Sequence, residues 1–484
     1  MKRNILFGLA AVLCLTGMAS AKATSAPTVW LDGEQMTFEV APVIENDRTM
    51  VPYRAIFEKL GYQVGWDADT RSVTAAKGST TMKLTIGSKT VTVNGGIVTS
   101  DTAPVIRQDR TLVPLRLVSE YSGCDVLWDK NTRTVAMYHK QAKNAMSEKL
   151  GCVTTDGDSL LVTRKNDVTE ECGTQGYSLT NLSPIALIPR FEIDAVCDGT
   201  AYGRLRPDWS LYQWEALCSV DMKTGNILSS IDLQNLVDPH IKYATSSFLL
   251  DPIRKELYIK GHDQNLSPVL YRVDKKPFET LEQISAPREL IEDEFISWSV
   301  HDRKMFVTIQ DYSLEKMRDI YDCYLIDLDS GKVLYHPDSD AIVQALFDGD
   351  ELYLLDNSQK NSQFLVYNYK TDAIRTLPML CTIDSFDLVP NGIFYKTKQE
   401  NSLYRATRDG VLSMKVADSI GTEFKIIGNT VYYLAYADAS DYQWYEDQYS
   451  QCAVYGWDSV YAMPTCGGVP YLLERRISIS FPMS

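Results

Sequence analysis

The sequence lacks the motifs that most catalytic and metal centres need. It has only five histidines, and their scattered positions give no spacing that would assemble a metal site. It contains no Gly-x-Ser-x-Gly or His-Glu-x-x-His motif and no glycine loop of the phosphate-binding type. It also lacks Cys-x-x-Cys, which leaves the usual redox and zinc-ribbon motifs without support. The sequence therefore predicts a protein that is not an enzyme and holds no cofactor.

Positive charge is also scarce, with a formal net charge of -15 over 484 residues and a pI near 4.9. An acidic surface argues against nucleic acid or anionic lipid as a partner. The exception is Met1 to Ala23, where Lys2 and Arg3 precede an apolar run and a small-residue cleavage site. This pattern is typical of a signal peptide and predicts a bacterial protein that is secreted or associated with the cell surface. Lipidation at Cys14 is disfavoured, because no small residue precedes it.

Ten cysteines are present, of which nine remain after residues 1–23 are removed. Export permits disulfides, but spacing does not determine connectivity. The odd number leaves at least one thiol free or intermolecular. Sequence proximity suggests three candidate pairs: Cys152 with Cys172, Cys197 with Cys218, and Cys452 with Cys466.

A duplicated segment organises the N-terminal part of the chain. Residues 41–75 and 103–137 are identical at 18 of 35 positions, at an offset of 62. Each copy predicts a short helix and two strands, and each follows a hairpin that turns at Asp32-Gly33 or Asn94-Gly95. The pattern predicts an antiparallel sheet around one helix. Trp66 and Trp128 are expected to occupy equivalent, largely buried places.

The segments APVIENDRTMVPYRAI and APVIRQDRTLVPLRLV, each followed by a strand ending in Trp-Asp, carry a family resemblance. Residues 28–138, with repeats 29–75 and 91–137, resemble the copper amine oxidase N-terminal (stalk) domain of secreted bacterial proteins. The resemblance implies a non-catalytic stalk, because the oxidase chemistry of that family resides in another domain. That chemistry requires Asn-Tyr-Asp/Glu and copper-binding histidines. The only Asn-Tyr here is followed by Lys370, and no His-x-His occurs.

A polar segment, residues 139–151, reads as a linker, and a looser repeat fills residues 152–484. One strand of each repeat centres on Leu257, Met305, Leu352, Ile393 or Val431, at spacings of 48, 47, 41 and 38. A period of 40 to 50 residues with four strands predicts a β-propeller of about seven blades. The fold class is thus mainly β, with a duplicated α+β stalk module ahead of the propeller. Strand-like residues 470–479 are expected to complete a blade with strands from the start of the propeller.

The most unusual local composition is an aromatic and acidic segment in the last repeat. Packing on a neighbour is the ordinary explanation for this segment, and the functional one is a ligand-binding site for a glycan or protein formed by Tyr442, Trp444, Tyr445 and Tyr449. DLDSGK, with Asp327 and Asp329, suggests a turn more strongly than a calcium loop.

Two functions remain open. The favoured one is an exported, non-catalytic binding or scaffold protein of the cell envelope. The alternative is an extracellular hydrolase or lyase acting on glycan or peptide in the propeller channel. Convergent carboxylates at the channel mouth would favour the enzyme.

Overall fold

A computed structural model describes most of the chain after the predicted signal peptide. The described residues are 26–140, 153–155, 158–166, 171–205, 216–232, 248–262, 268–273, 281–284, 295–313, 318–421, 423–435, 443–446, 451–455, 459–474 and 478–480. The predicted signal peptide and nearly all of the predicted linker therefore lie outside the described residues. Contacts divide the chain into two compact units: Met1–Thr28, Phe38–Leu115 and Asn131–Arg133, and Val29–Thr37, Arg116–Lys130 and Thr134–Ser484.

The duplicated region forms three antiparallel sheets and two short helices. Its elements are β1 (Thr28–Leu31), β2 (Glu34–Gln35), β3 (Val43–Glu45), β4 (Arg48–Pro52), α1 (Tyr53–Lys59), β5 (Gln63–Asp67), β6 (Ser72–Lys77), β7 (Thr80–Thr85), β8 (Thr90–Val93), β9 (Gly96–Thr99), β10 (Val105–Arg107), β11 (Arg110–Pro114), α2 (Leu115–Tyr121), β12 (Cys124–Asp129) and β13 (Thr134–His139). In the first unit, the strand orders are β5-β6-β7-β8-β9 and β10-β11-β4-β3. The second unit contains the order β12-β13-β1-β2.

The predicted duplication is present in the structure. Counterpart elements begin 62 residues apart, as β1 and β8, β4 and β11, and α1 and α2 do. Within the first unit, β4 and β11 pair so that Val51 lies opposite its own counterpart, Val113. On either side of them, Pro52 lies opposite Leu112, and Met50 lies opposite Pro114. Each of these two pairs is the counterpart of the other. The two strands are therefore related by a local two-fold axis.

Arginine–carboxylate pairs follow the same symmetry in the first unit. Arg48 Nε donates to Asp101 Oδ2 at 2.9 Å, and its counterpart Arg110 donates to Glu39 Oε2 at 2.9 Å. Asp101 and Glu39 are themselves 62 residues apart, so each arginine bonds the acidic residue that precedes the other copy. Exposed pairs of this kind contribute little stability. Their main effect is to fix how the copies pair.

The expected burial of the two repeated tryptophans is wrong, although their equivalence is confirmed. Trp66 is 42% exposed and Trp128 is 43% exposed. Each lies opposite a buried valine, Val73 or Val135, on a strand at the edge of its sheet. The indole therefore has no neighbouring strand on one side, and alternation along the strand could not reveal that edge position.

Seven four-stranded antiparallel sheets, here called I to VII, follow in the described part of the second unit. Sheet I comprises β14 (Val153–Thr155), β15 (Ser159–Asn166), β16 (Glu171–Ser178) and β17 (Pro184–Pro189). Sheet II comprises β18 (Phe191–Cys197), β19 (Thr200–Leu205), β20 (Ala216–Asp221) and β21 (Ile227–Asp232). Sheet III comprises β22 (Leu249–Asp251), β23 (Glu256–His262), β24 (Pro268–Val273) and β25 (Leu281–Ile284). Sheet IV comprises β26 (Phe295–His301), β27 (Lys304–Ser313), β28 (Arg318–Asp327) and β29 (Lys332–Tyr335). Sheet V comprises β30 (Ile342–Asp348), β31 (Glu351–Asp356), β32 (Gln363–Asn368) and β33 (Ala373–Pro378). Sheet VI comprises β34 (Ile383–Val389), β35 (Gly392–Thr397), β36 (Leu403–Ala406) and β37 (Ser413–Ala417). The remaining strands are β38 (Phe424–Ile427), β39 (Thr430–Ala435), β40 (Gln443–Glu446), β41 (Gln451–Tyr455), β42 (Ser459–Pro464), β43 (Tyr471–Glu474) and β44 (Ser478–Ser480). Sheet VII is β38-β39-β42-β43, and β40-β41-β44 form a small separate sheet.

The repeated strand predicted from the sequence is the second strand of its sheet. It carries a fully buried aliphatic residue followed by a fully buried aromatic one, which packs between neighbouring sheets. These pairs are Leu257 and Tyr258, Met305 and Phe306, Leu352 and Tyr353, Ile393 and Phe394, and Val431 and Tyr432. Side chains of successive strand residues point to opposite faces, so each pair packs on both faces of its sheet.

Hydrophobic clusters join each sheet to the next and close the ring. The closing cluster contains Leu160 and Val162 of sheet I with Tyr432 and Val460 of sheet VII, and Leu473 packs against it. The predicted proximity of the propeller's start to Leu473 is therefore confirmed. The predicted strand exchange is wrong, because β43 pairs with β42 in its own sheet and β44 pairs with β41. Side-chain packing closes the ring instead, and the propeller-like architecture is confirmed.

The first strands of the sheets lie towards the centre of this ring. Consecutive first strands contact each other, as β18 does β22, β22 does β26 and β34 does β38. Any ligand in the channel would therefore meet the first strands.

Candidate functional site

Six carboxylates lie on the first strands, where channel chemistry would need them. They are Glu192, Asp194, Asp251, Asp348, Asp384 and Asp387. A general acid or base must be able to exchange a proton with a substrate. The bonding of these six side chains therefore bears on whether they could act as a general acid or base.

Sheet II contains a buried ion pair. Arg204 donates to both oxygens of Asp194, at 3.0 Å from Nη2 and 3.2 Å from Nε. The Asp194 side chain is fully buried, and Glu192 accepts from the same guanidinium at 3.3 Å. Asp194 also accepts the backbone N–H of Phe248, at 3.3 Å, which ties sheet II to sheet III. Both carboxylates are committed to this network.

Sheet VI contains an equivalent ion pair, in which a lysine of the second strand takes the place of the arginine. Lys396 Nζ lies 2.6 Å from Asp384 Oδ2, and Lys396, like Arg204, is the fifth residue of its second strand. Asp194 and Asp384 each occupy an irregularity in the pairing of the first two strands, where one extra residue is inserted. Such a bulge re-aims a side chain towards a partner that regular alternation would not reach.

The equivalent position in sheet V carries no charged pair. There the pairing of β30 with β31 is also irregular, at Val343, and the fifth residue of β31 is Leu355. Val343 is 38% exposed, whereas Leu355 is buried in the cluster between sheets V and VI. The charged pair is therefore a feature of sheets II and VI and not of every sheet.

The remaining first-strand carboxylates bond to the backbone or to cations. Asp251, fully buried, accepts the backbone N–H groups of Ile253, Arg254, Asp302 and Arg303 at 2.7 to 3.1 Å. Two of these donors belong to sheet III and two to the turn of sheet IV.

The first-strand carboxylates Asp348 in sheet V and Asp387 in sheet VI also bond to cations or to the backbone. Asp348 lies 2.8 Å from Arg408. Asp387 lies 3.1 Å from Lys425 and accepts the N–H of Ile426 at 2.7 Å, which joins sheets VI and VII. All six carboxylates therefore act as cross-links within or between sheets.

The described thiols of Cys218 and Cys323 are buried. Burial raises the pKa of Cys218 and of Cys323 to about 12, so both stay protonated at neutral pH. Cys197 and Cys218 are separate buried thiols, and the predicted disulfide between them is wrong, as is that of Cys466. They pack in different clusters, on opposite faces of sheet II. The side chains of Cys152, Cys172 and Cys452 lie outside the described residues.

Histidine–aspartate pairs occur on the described surface. His336 Nε2 lies 2.7 Å from Asp322 Oδ1, and Tyr324 donates to the other oxygen of Asp322 at 2.5 Å. In the described ranges, no three His, Cys, Asp or Glu side chains are grouped as metal ligands would be. Asp327 Oδ1 accepts the N–H groups of Asp329 and Ser330 at 2.8 and 3.0 Å, so the DLDSGK segment is a capped turn.

The predicted aromatic site is only partly within the described residues. Trp444 and Tyr445 lie on β40, which pairs with β41, whereas Tyr442 and Tyr449 fall outside. The segment containing them leaves sheet VII at the C-terminal end of β39. Antiparallel pairing places that end beside the N-terminal ends of the first strands, where Asp384 and Lys396 lie. Ligand binding there remains a prediction.

At the opposite end of the ring, the sheet β12-β13-β1-β2 packs on sheet VI. Strand β12 contacts β37, and Leu127, Ala136 and Tyr138 form a buried cluster with Met414. The approach is close at Gly33, where an added Cβ would come within 2.9 Å of Thr407.

A buried cation stabilises this contact. The guanidinium of Arg405 lies 3.5 Å from the ring centroid of Tyr138 and 5.0 Å from that of Phe394. Its Nη2 donates to Asn391 Oδ1 at 2.7 Å, and Asn391 Nδ2 donates to Asp32 at 3.1 Å. Burial lowers the pKa of Arg405 to about 10, which leaves it charged at neutral pH. The faces of the two rings and the amide oxygen of Asn391 stabilise the positive charge of Arg405.

The first copy of the repeat lacks this packing surface. The counterparts of Leu127, Ala136 and Tyr138, 62 residues earlier, are Gly65, Thr74 and Ala76. These residues are small, and Thr74 and Ala76 are exposed. The sequences of the two copies differ at the positions of this docking face, which identical positions alone do not reveal.

The architecture defines a β-propeller preceded by a duplicated α+β domain, and one comparison identifies that domain. The family model of the copper amine oxidase N-terminal domain matches residues 30–137. This part of the chain therefore belongs to that domain family, as its repeat suggested. No curated protein matches the chain. In the described helices, no segment is both long and apolar enough to cross a membrane.

Several solved structures are similar. The β-propeller domain of the Trilobed protease from Pyrococcus furiosus is 14% identical, with a TM-score of 0.42 over 69% of this chain and 96% of that one. BamB from Moraxella catarrhalis is 10% identical, with a TM-score of 0.34 over 77% and 93%. A puromycin-hydrolyzing peptidase of Mycobacterium tuberculosis is 12% identical, with a TM-score of 0.43 over 68% and 53%. With TM-scores this low, the architecture rests on the sheets and clusters described above.

Proposed function

We propose that this protein is an exported, non-catalytic binding or scaffold protein, in which the N-terminal domain serves as a stalk and the propeller binds a ligand. The observation that carries the proposal is the bonding of the six first-strand carboxylates. Each has a cation or backbone N–H groups as a partner, and the Asp348 and Asp384 side chains are 49% and 39% exposed in their ion pairs. Glycan hydrolysis needs a pair of carboxyl groups facing the substrate.

The signal-like segment of residues 1–23 supports export, so the protein would act outside the cytoplasm or at the cell surface. The ligand is a glycan or a protein, bound by Tyr442, Trp444, Tyr445 and Tyr449. Aromatic rings with a polar edge suit both kinds of ligand. The site would face away from the docked sheet β12-β13-β1-β2, because the aromatic segment leaves the opposite end of the ring.

Equilibrium binding to purified cell-wall glycans and to envelope proteins tests the proposal. We expect the double variant Trp444→Ala/Tyr445→Ala to lose binding while its melting temperature stays unchanged. Tyr471→Ala is the matched control, since Tyr471 is 44% exposed but lies on the outermost strand of sheet VII. Equal binding by the double variant and the wild type would refute the site. Turnover of a glycan or peptide would support the extracellular hydrolase or lyase instead.

A further inference from the structure

The edge strand β9 of the first unit is built to pair with another strand. It closes the order β5-β6-β7-β8-β9, so one of its long sides has no neighbour within the sheet. Its residues, Gly96 to Thr99, are mostly exposed, and Ile97 is 76% exposed. An uncovered edge presents a row of backbone donors and acceptors to any strand of matching length.

The register identifies which groups face outwards. Ser100 N donates to Lys89 O at 2.8 Å, which makes these two residues a hydrogen-bonded pair between β8 and the end of β9. Bonded and non-bonded pairs alternate along an antiparallel ladder. Val98 therefore bonds inwards, whereas the N–H and C=O groups of Ile97 and Thr99 point away from the sheet.

Other edges of the first unit carry a charge that β9 lacks. The described edge strands β3, β5 and β10 end in Glu45, Asp67 and Arg107 respectively. The counterpart of β9 in the duplicated domain is β2, which has only two residues, one of them Glu34. Charges and short length are the usual protection of an edge against pairing. Strand β9 carries no charged residue, and with four residues it is longer than β2, β3 and β10.

We propose that β9 pairs with β9 of a second copy, which joins two first-unit sheets into one continuous antiparallel sheet. Residues 38–115 carry nine Lys or Arg and eight Asp or Glu, so this segment is almost neutral although the whole chain has a net charge of -15. The charge that would oppose association of two copies thus lies elsewhere in the sequence. A two-fold contact needs a self-complementary surface, and an uncharged strand pairing with itself provides one.

The outward groups fix the register of the pairing. Ile97 bonds to Thr99 of the second copy and Thr99 to its Ile97, with four hydrogen bonds in total. Val98 then lies opposite Val98 of the second copy in a non-bonded pair, whose Cα atoms are about 4.5 Å apart. That separation is within the range that a disulfide can bridge.

Sedimentation velocity of the full-length secreted chain tests the pairing. We expect a concentration-dependent dimer, and Ile97→Lys should raise its dissociation constant by about tenfold or more. The two introduced lysines would be diagonal neighbours on one face of the joined sheet, about 7–8 Å apart, and would repel each other. Ile106→Lys is the matched control, since Ile106 is 37% exposed on the edge strand β10. It should leave the dimer intact. A wild-type chain that stays monomeric to about 100 μM would overturn the proposal.

A cysteine variant tests the register independently. Val98→Cys should form an intermolecular disulfide under mild oxidation, whereas Ile106→Cys and the wild type should not. A dimer that survives Ile97→Lys, or that gives no cross-link at position 98, uses another surface and would contradict the proposal. Melting temperatures of the variants exclude misfolding as the cause of a lost dimer.

Discussion

Truncating Arg204 should destabilise the propeller far more than truncating an exposed cation of the same sheet region. The Asp194 side chain is fully buried, and Arg204 supplies two of its hydrogen bonds. In Arg204→Ala, the buried Asp194 carboxylate would lose both of these hydrogen bonds and the positive charge beside it. Removing one partner of a buried ion pair typically costs about 3–5 kcal/mol.

The assay is urea unfolding at neutral pH, followed by tryptophan fluorescence and by circular dichroism. Lys255→Ala is the control, since Lys255 pairs with Asp198 on the surface at 2.6 Å and its loss should change the midpoint little. The double variant Asp194→Leu/Arg204→Met should recover much of the lost stability, because replacing both charges leaves none buried alone.

Two results would refute this reasoning. One is an Arg204→Ala protein as stable as the wild type, which would mean that Asp194 is not confined as described. The other is a double variant no better than Arg204→Ala, which would show that the charges themselves were not the cause. Either outcome would reopen the possibility that Asp194 serves chemistry.

The other predictions concern docking, pH and thiol reactivity. Tyr138→Ala should cost about 3–5 kcal/mol in urea unfolding, because it opens a cavity and exposes the Arg405 guanidinium; an unchanged midpoint would contradict the docking. The hydrogen bond from Arg303 lowers the pKa of Glu256 below 4.5, so its contribution is present above that pH and lost as pH falls through the folded pKa. Arg303→Met should therefore be less stable than the wild type at pH 7, and the difference should shrink as the pH falls through the lowered pKa of Glu256; a constant difference would argue against the pair. Cys218, with its raised pKa, should resist a thiol reagent until the protein unfolds, and fast labelling of the native protein would show that it is not buried.

Local sequence signals predicted the repeated elements because short-range chemistry decides them. The Asn94-Gly95 turn adopts positive φ values of 51° and 80°, as the hairpin motif requires. The burial of Leu257 and its equivalents follows from strand alternation. The 62-residue offset also predicted that α1 and α2 are equivalent helices in the two copies.

Long-range placement decided the features that the sequence could not predict. The repetition of Arg54 as Arg116 and of Asp67 as Asp129 predicts arginine–carboxylate pairs that tie helix to hairpin. Asp67 instead caps its own turn by accepting the N–H groups of Asp69 and Thr70. Arg54 bonds Glu58 within its helix, at 3.3 Å. Both expectations treated repetition as a sign of contact, whereas each residue serves its own copy.

The sequence also could not predict the charged cross-links of the ring. Asp384 meets Lys396 only because an inserted residue breaks the alternation of β34. A bulge has no signature in the composition of a strand, and the distance between the partners depends on it.

The central claim is that the first-strand carboxylates hold the ring together and that the propeller binds a ligand without converting it. The most direct measurement combines equilibrium binding with mass spectrometry of cell-wall glycans and peptides after incubation with the protein. We predict binding with no new products, and an Asp384→Asn variant whose melting temperature falls because its lysine pair is weakened. Products that appear with the wild type and disappear with Asp384→Asn, at an unchanged melting temperature, would contradict the claim.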